Sequence, residues 1–155
     1  MRGTAEVTRY LYDLPLTRRQ AAAKLRGLRT EIKRPGEWIN LAVEVTETGS
    51  VVGDVGLGWT SQTHRQAEIG YSFHLDHRGQ GYATEAAAAL VGLAFTELGV
   101  HRVAGRLDAR NTASARLLER LGMRREGLLV QNELIKGEWT DEMIYAVLAS
   151  EWVAR

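Results

Sequence analysis

The stretch over residues 68–109 restricts the possible folds more than any other part of the chain. It opens with a strand over residues 68–75, Glu68-Ile69-Gly70-Tyr71-Ser72-Phe73-His74-Leu75. A glycine-bearing loop follows, and at residue 81 the spacing of apolar residues changes to that of a helix. Ala83, Ala86, Ala87, Leu90, Ala94, Phe95 and Leu98 then fall on one stripe, with Gly99 at the C-terminal end. Residues 101–109 return to strand character. Strand, helix and strand in that order require a parallel pair joined by a crossover, because two parallel strands cannot be linked by a tight turn.

The flanks add antiparallel pairs. Residues 38–47 alternate with Ile39, Leu41, Val43 and Val45 on one face, Thr48-Gly49-Ser50 turns the chain, and residues 51–60 come back. Residues 127–135 and 139–148 form a second hairpin. Before the first strand, residues 17–32 read as an amphipathic helix: Thr17 and Gln20 make a capping box, and Ala21, Leu25, Leu28 and Ile32 recur at helical spacing. Asn111 caps a short helix running through Leu121, which Gly122 closes. The expected fold class is α/β (α+β), with a mixed, mostly antiparallel sheet and one parallel crossover. No repeat or linker divides residues 1–155, so one domain is expected.

Composition excludes several functions. Twenty basic residues against nineteen acidic leave a net charge of +1, which argues against a nucleic-acid or anionic-membrane partner. The chain has no cysteine, so disulfides, thiolate metal sites and a cysteine acyl-enzyme are ruled out, and a cytoplasmic location is expected. Met1-Arg2-Gly3-Thr4 begins no apolar leader, and no stretch approaches the ~20 apolar residues of a membrane span. His64, His74, His77 and His101 lack metal-ligand spacing, and no metal is expected.

The chemistry concentrates in His77-Arg78-Gly79-Gln80-Gly81-Tyr82-Ala83. Where a loop passes directly into a helix, unpartnered amides meet the positive end of the helix dipole and form an anion site. The same residues also suit an ordinary strand-to-helix turn. A Walker loop is excluded, since Gly81 is followed by Tyr82 and not by Lys. Gly53-Asp54-Val55-Gly56-Leu57-Gly58 lies inside a strand, where bulging or close packing explains it better.

Arg78-x-x-Gly81-x-Ala83 resembles the acetyl-CoA signature of the GNAT superfamily of N-acetyltransferases. Residues 67–73 resemble that family's fourth strand, and Asn111-Thr112-Ala113-Ser114 through Leu121-Gly122-Met123 its asparagine block. The tail, from Gly137-Glu138-Trp139 to Trp152, resembles the branch of ribosomal-protein N-terminal acetyltransferases. The resemblance implies the GNAT fold, acetyl-CoA as co-substrate, and direct transfer of acetyl to a primary amine on a protein N-terminus or a small molecule. It further implies that residues 78–83 (Arg78, Gly79, Gln80, Gly81, Tyr82 and Ala83) bind the pyrophosphate, and that Phe73, His74 and Leu75 pair with the pantetheine arm. Asn111 either approaches that arm or only caps its helix.

Direct attack needs a neutral amine and a stabilised leaving thiolate. An α-amino group with pKa near ~7.8 is about 15% neutral at pH 7, and a lysine near ~10.4 only ~0.04%. The resemblance implies Glu68 as base, against the alternative of an exposed glutamate at a strand's start. Many relatives place a tyrosine where this chain has Leu118, which leaves Ser114 or Tyr145 to serve the thiolate. Each has a structural alternative, as a helix-surface serine and a core tyrosine. The family's opening strand is not evident in Ala5-Glu6-Val7-Thr8-Arg9-Tyr10-Leu11-Tyr12, and a homodimer covering the resulting strand edge is expected. A CoA-binding module without turnover is the alternative function.

Overall fold

The computed structural model describes residues 5–12, 14–29 and 31–152. The opening residues 1–4 and the end of the chain beyond Trp152 lie outside them. Among the described residues, a six-stranded sheet runs in the order β1-β2-β3-β4-β6-β5. The strands are β1 (Trp38–Val45), β2 (Ser50–Ser61), β3 (Gln66–Phe73), β4 (Arg102–Asp108), β5 (Arg124–Ile135) and β6 (Glu138–Leu148). All neighbours pair antiparallel except β3 and β4, as the strand-helix-strand order requires. The helices are α1 (Arg18–Arg26), α2 (Tyr82–Thr96), which makes the crossover, and α3 (Thr112–Arg120).

The core lies between the sheet and α2 and α3. Ala87, Leu90, Val91 and Ala94 of α2 are buried in one cluster with Val55, Leu57, Ala67 and Ile69 of β2 and β3. Each buried Leu or Val side chain contributes about 1.5–3 kcal/mol, and this apolar stripe fixes α2 on the sheet.

Helix α1 is shorter than its apolar spacing predicts. Its capping box forms, with Thr17 Oγ1 accepting from the Gln20 amide at 3.3 Å and Gln20 Oε1 accepting from the Thr17 amide at 2.9 Å. The helix stops at Gly27, although Leu28 and Ile32 continue the period. None of its residues is buried, so no packing offsets the entropic cost of carrying a helix through glycine.

The glycine run in β2 is explained by close packing. A Cβ at Gly56 or Gly58 would stand 2.5 or 2.1 Å from the Trp38 indole, which lies across both.

The site is prepared by a fork in the sheet. β3 and β4 pair only from Gln66↔Arg102 to Ile69↔Gly105. Beyond that, β4 stays bonded to β6 as far as Asp108, while residues 70–73 have no neighbour on the β4 side. Side chains of α3 enter the fork. Leu118 packs on Gly105 so closely that a Cβ there would come within 2.9 Å of it, and the Tyr71 hydroxyl meets Ser114.

Candidate active site

The fork opens into a cleft of about 610 Å³ whose walls come from β3, the start of α2, α3 and the turn over residues 5–12. Gly79 and Gly81 line it with φ of 77° and 86°, a left-handed backbone that costs other residues about 1–2 kcal/mol. A Cβ at either would meet nothing within 4 Å, so the backbone conformation, not crowding, requires glycine. Gly81 provides no side-chain cap for α2. The amides of Thr84 and Glu85 close on the Gly81 carbonyl, which leaves those of Tyr82 and Ala83 at the cleft wall. The positive end of the α2 dipole therefore meets the cleft, with Arg78 beside it and Arg120 of α3 donating to Thr84 Oγ1 at 3.4 Å.

Phe73, Arg78, Gly79, Gly81, Tyr82, Ala83 and Asn111 line this cleft, and His74, Leu75 and Gln80 do not. The His74 amide donates to Val52 of β2 at 2.9 Å, and residues Leu75–His77 coil into a 3-10 turn. Strand β3 ends at Phe73, so its extended edge left unpaired by β4 covers residues 70–73 and includes Phe73 of the segment expected to meet the pantetheine arm. Asn111 caps α3 by accepting from the Ser114 amide at 3.2 Å while lining the cleft, so its two expected roles are compatible.

These features suit a pyrophosphate-bearing thioester: open amides and two guanidiniums at one end, and an unpaired strand edge leading inward. The Ser72 hydroxyl, buried at the cleft wall, has no hydrogen-bond partner among the described residues, as expected of a site that a polar ligand completes.

Glu68 lies on the other face of the sheet, in an adjoining depression with Arg102, Arg106 and Glu126. Burial pushes its carboxyl above the usual range, Arg106 at 3.4 Å opposes that shift, and Glu142 adds to it. Glu142, itself buried, accepts from Arg106 Nη1 and from Asn132 Nδ2, each at 3.0 Å. Asn132 and Glu133 come from an irregularity in β5 between Leu129 and Glu133, where Gln131 has a φ of 48°. Glu133 accepts from the Tyr12 hydroxyl, whose pKa burial and that carboxylate push up to about 12. Tyr145, by contrast, is buried in the core and donates to Glu119 Oε1 at 3.1 Å; it does not line the cleft.

Three contributors are absent from the sequence reading. Tyr71 places its hydroxyl 2.7 Å from Ser114 Oγ. Arg120 lines the cleft from the end of α3. The turn over residues 5–12 walls the cleft with Tyr10 and Leu11, and Lys136 Nζ holds it by donating to the Thr8 carbonyl at 2.6 Å.

A helix start open to a cleft beside a forked sheet is an arrangement suited to a transferase that takes its acyl group from a CoA-type thioester. A sequence model of the acetyltransferase (GNAT) domain matches residues 1–124, and the chain belongs to that family. It is 32% identical over 147 residues to the N-acetyltransferase p20 of Bacillus licheniformis, covering 95% of this chain and 83% of that protein. It is 31% identical over 84 residues to the ribosomal protein uS5-alanine N-acetyltransferase of Escherichia coli, covering 54% of this chain and 43% of that enzyme. The crystal structure of a GNAT-family acetyltransferase from Bacillus anthracis superposes with a TM-score of 0.86 at 28% identity, over 97% of this chain and 86% of that one. GNAT enzymes use acetyl-CoA as co-substrate, and the reaction is acetyl transfer to an amine.

Proposed function

We propose that the acceptor is a cationic amine that reaches the fork from the Glu68 face while acetyl-CoA occupies the opposite side. The observation that carries this reading is the charge around Glu68: Glu68 and Glu142 share one guanidinium, Arg106, and both carboxylates, together with Glu133, act on the Tyr12 hydroxyl. Such a wall attracts an ammonium group and speeds its arrival at low salt. It favours a small polyamine-like acceptor over a neutral peptide terminus, and both remain within the chemistry of the fold.

In this reading residues 78–83 hold the pyrophosphate and the edge over residues 70–73 pairs with the pantetheine arm. Glu68 takes the amine's proton, directly or through a water. Its carboxyl, already above the usual range, is the better matched to that task, and such a base contributes about 10²–10⁴-fold. The enzyme works in the cytoplasm as a homodimer joined along β1, whose outer edge, among the described residues, carries a single bridge from Arg29 to Ile39. Exposed Leu25, Leu41 and Val51 lie on that side of the sheet.

Release of CoA from acetyl-CoA, followed for spermidine and for a neutral peptide with N-terminal alanine, tests the acceptor reading. Spermidine should give the higher kcat/KM, and its advantage should shrink as salt rises. A faster peptide, or a ratio insensitive to salt, would refute it. Light scattering that finds only monomer would remove the dimer.

A further inference from the structure

Tyr71 belongs to β3 at the unpaired edge, and its side chain crosses toward α3. Its hydroxyl lies 2.7 Å from Ser114 Oγ and donates to the Ser114 carbonyl at 3.1 Å in the alternative orientation of its single proton. Both residues line the cleft, and Ser114 sits in the first turn of α3 with its amide fixed by Asn111 Oδ1. Leu118, one turn on, offers no polar atom and is only 1% exposed against Gly105. Tyr71 and Ser114 are thus the hydroxyls that meet each other between β3 and α3 at this cleft.

We propose that Tyr71 is a positioning residue that holds the Ser114 hydroxyl toward the departing sulfur of the thioester. The inference rests on reading the cleft as the acetyl-CoA site. A helical serine otherwise tends to turn its hydroxyl back on a carbonyl of the preceding turn. The short contact with Tyr71 keeps Oγ on the β3 side. When negative charge gathers on sulfur, Tyr71 donates to Oγ, and Oγ donates to sulfur. A bond backed in this way is stronger than an isolated one. Burial raises the Tyr71 pKa, so the phenol keeps its proton throughout and has it to donate. No proton leaves either side chain. The pair stabilises the thiolate by hydrogen bonding alone.

The test uses CoA itself as the probe and needs no acceptor. Bound CoA is titrated by the far-ultraviolet absorbance of its thiolate, with calorimetry showing that each variant still binds it. Hydrogen bonds to charged groups correspond to about 1–2 pKa units. The bound thiol should titrate about one unit lower in the wild type than in Tyr71→Phe, and Ser114→Ala should match Tyr71→Phe. The double variant should show no further change, and Ser114→Thr, which keeps a hydroxyl, should retain sensitivity to Tyr71→Phe. Equal thiol pKa in wild type and Tyr71→Phe overturns the proposal, as does a Tyr71→Phe shift that persists without the serine. Should Tyr71→Phe fail to fold, a wild-type pKa in Ser114→Ala overturns it alone. Absence of CoA binding to the wild type removes the site reading itself, a result distinct from the others.

Discussion

Gly81 and Gly36 allow backbone strain to be separated from ligand binding. Both hold a positive φ, 86° and 88°, and a Cβ at either meets nothing within 4 Å. Alanine therefore incurs the same conformational cost at each, about 1–2 kcal/mol. In a chain of this size that lowers the melting midpoint by roughly 2–8 °C. The two sites differ in surroundings. Gly36 lies between α1 and β1, with its amide bonded to the Trp59 carbonyl at 2.7 Å, whereas Gly81 opens α2 at the cleft wall. A methyl group at Gly81 also occupies space a diphosphate needs and disturbs amides that would donate to it. Losing one charge-assisted bond costs about 1.5–3 kcal/mol, a weakening of roughly 10–100-fold. Calorimetric titration of CoA into Gly81→Ala and Gly36→Ala is the assay. Gly81→Ala should lose affinity, Gly36→Ala should retain it, and the two should melt together. Equal affinity for CoA in both variants would show that the start of α2 does not receive the pyrophosphate.

Glu68→Gln should reduce kcat by about 10²-fold or more for amines of high pKa, and less for an α-amino group. Because the Glu68 pKa is raised by folding, its ionised form is disfavoured in the native state. Wild-type stability should fall relative to Glu68→Gln as pH climbs from the ordinary carboxylate range through the native pKa. Thermal melts at either end of that window measure this, and a difference that shrinks with rising pH would contradict it. Gly58→Ala should destabilise by about 1–3 kcal/mol through its clash with Trp38, 2.1 Å away. Denaturant unfolding should show a smaller loss when Trp38→Ala is already present; equal losses would mean that the clash is not the cause.

What the sequence revealed and what it hid follow from the range of the interactions. The crossover was legible because residues 68–109 change period twice, and the caps at Thr17 and Asn111 because capping acts within one turn. The extent of α1 was not. Leu28 and Ile32 continue the stripe, but whether a helix survives Gly27 depends on a partner layer that local spacing does not report. The end of β3 at Phe73 was likewise not evident, since the sequence keeps its alternation to Leu75 although residues Leu75–His77 coil into a turn. The most distant contacts of the site were invisible. Tyr71 and Ser114 are 43 residues apart, Arg120 and Thr84 36, and Tyr12 and Glu133 121. Nothing near Tyr71 distinguishes it from any other strand tyrosine, whereas Glu68 and residues 78–83 carry a family pattern along the chain itself.

Leu118 shows how one position governs both fold and chemistry. The family resemblance implies a tyrosine at this position, so introducing one by Leu118→Tyr has the appearance of a repair. The packing argues otherwise. Leu118 is 1% exposed, and its methyl groups lie where even a Cβ on Gly105 would come within 2.9 Å. A larger ring costs about 1–3 kcal/mol in overpacking, and a buried hydroxyl without a partner adds about 1–3 kcal/mol more. The fork also already has a phenol, because Tyr71 reaches Ser114 from the opposite wall. Leu118→Tyr should therefore melt earlier and turn over acetyl-CoA no faster than wild type with any amine. A variant as stable as wild type and faster would mean that the fork has room for a second phenol, and that leucine at this position limits the rate.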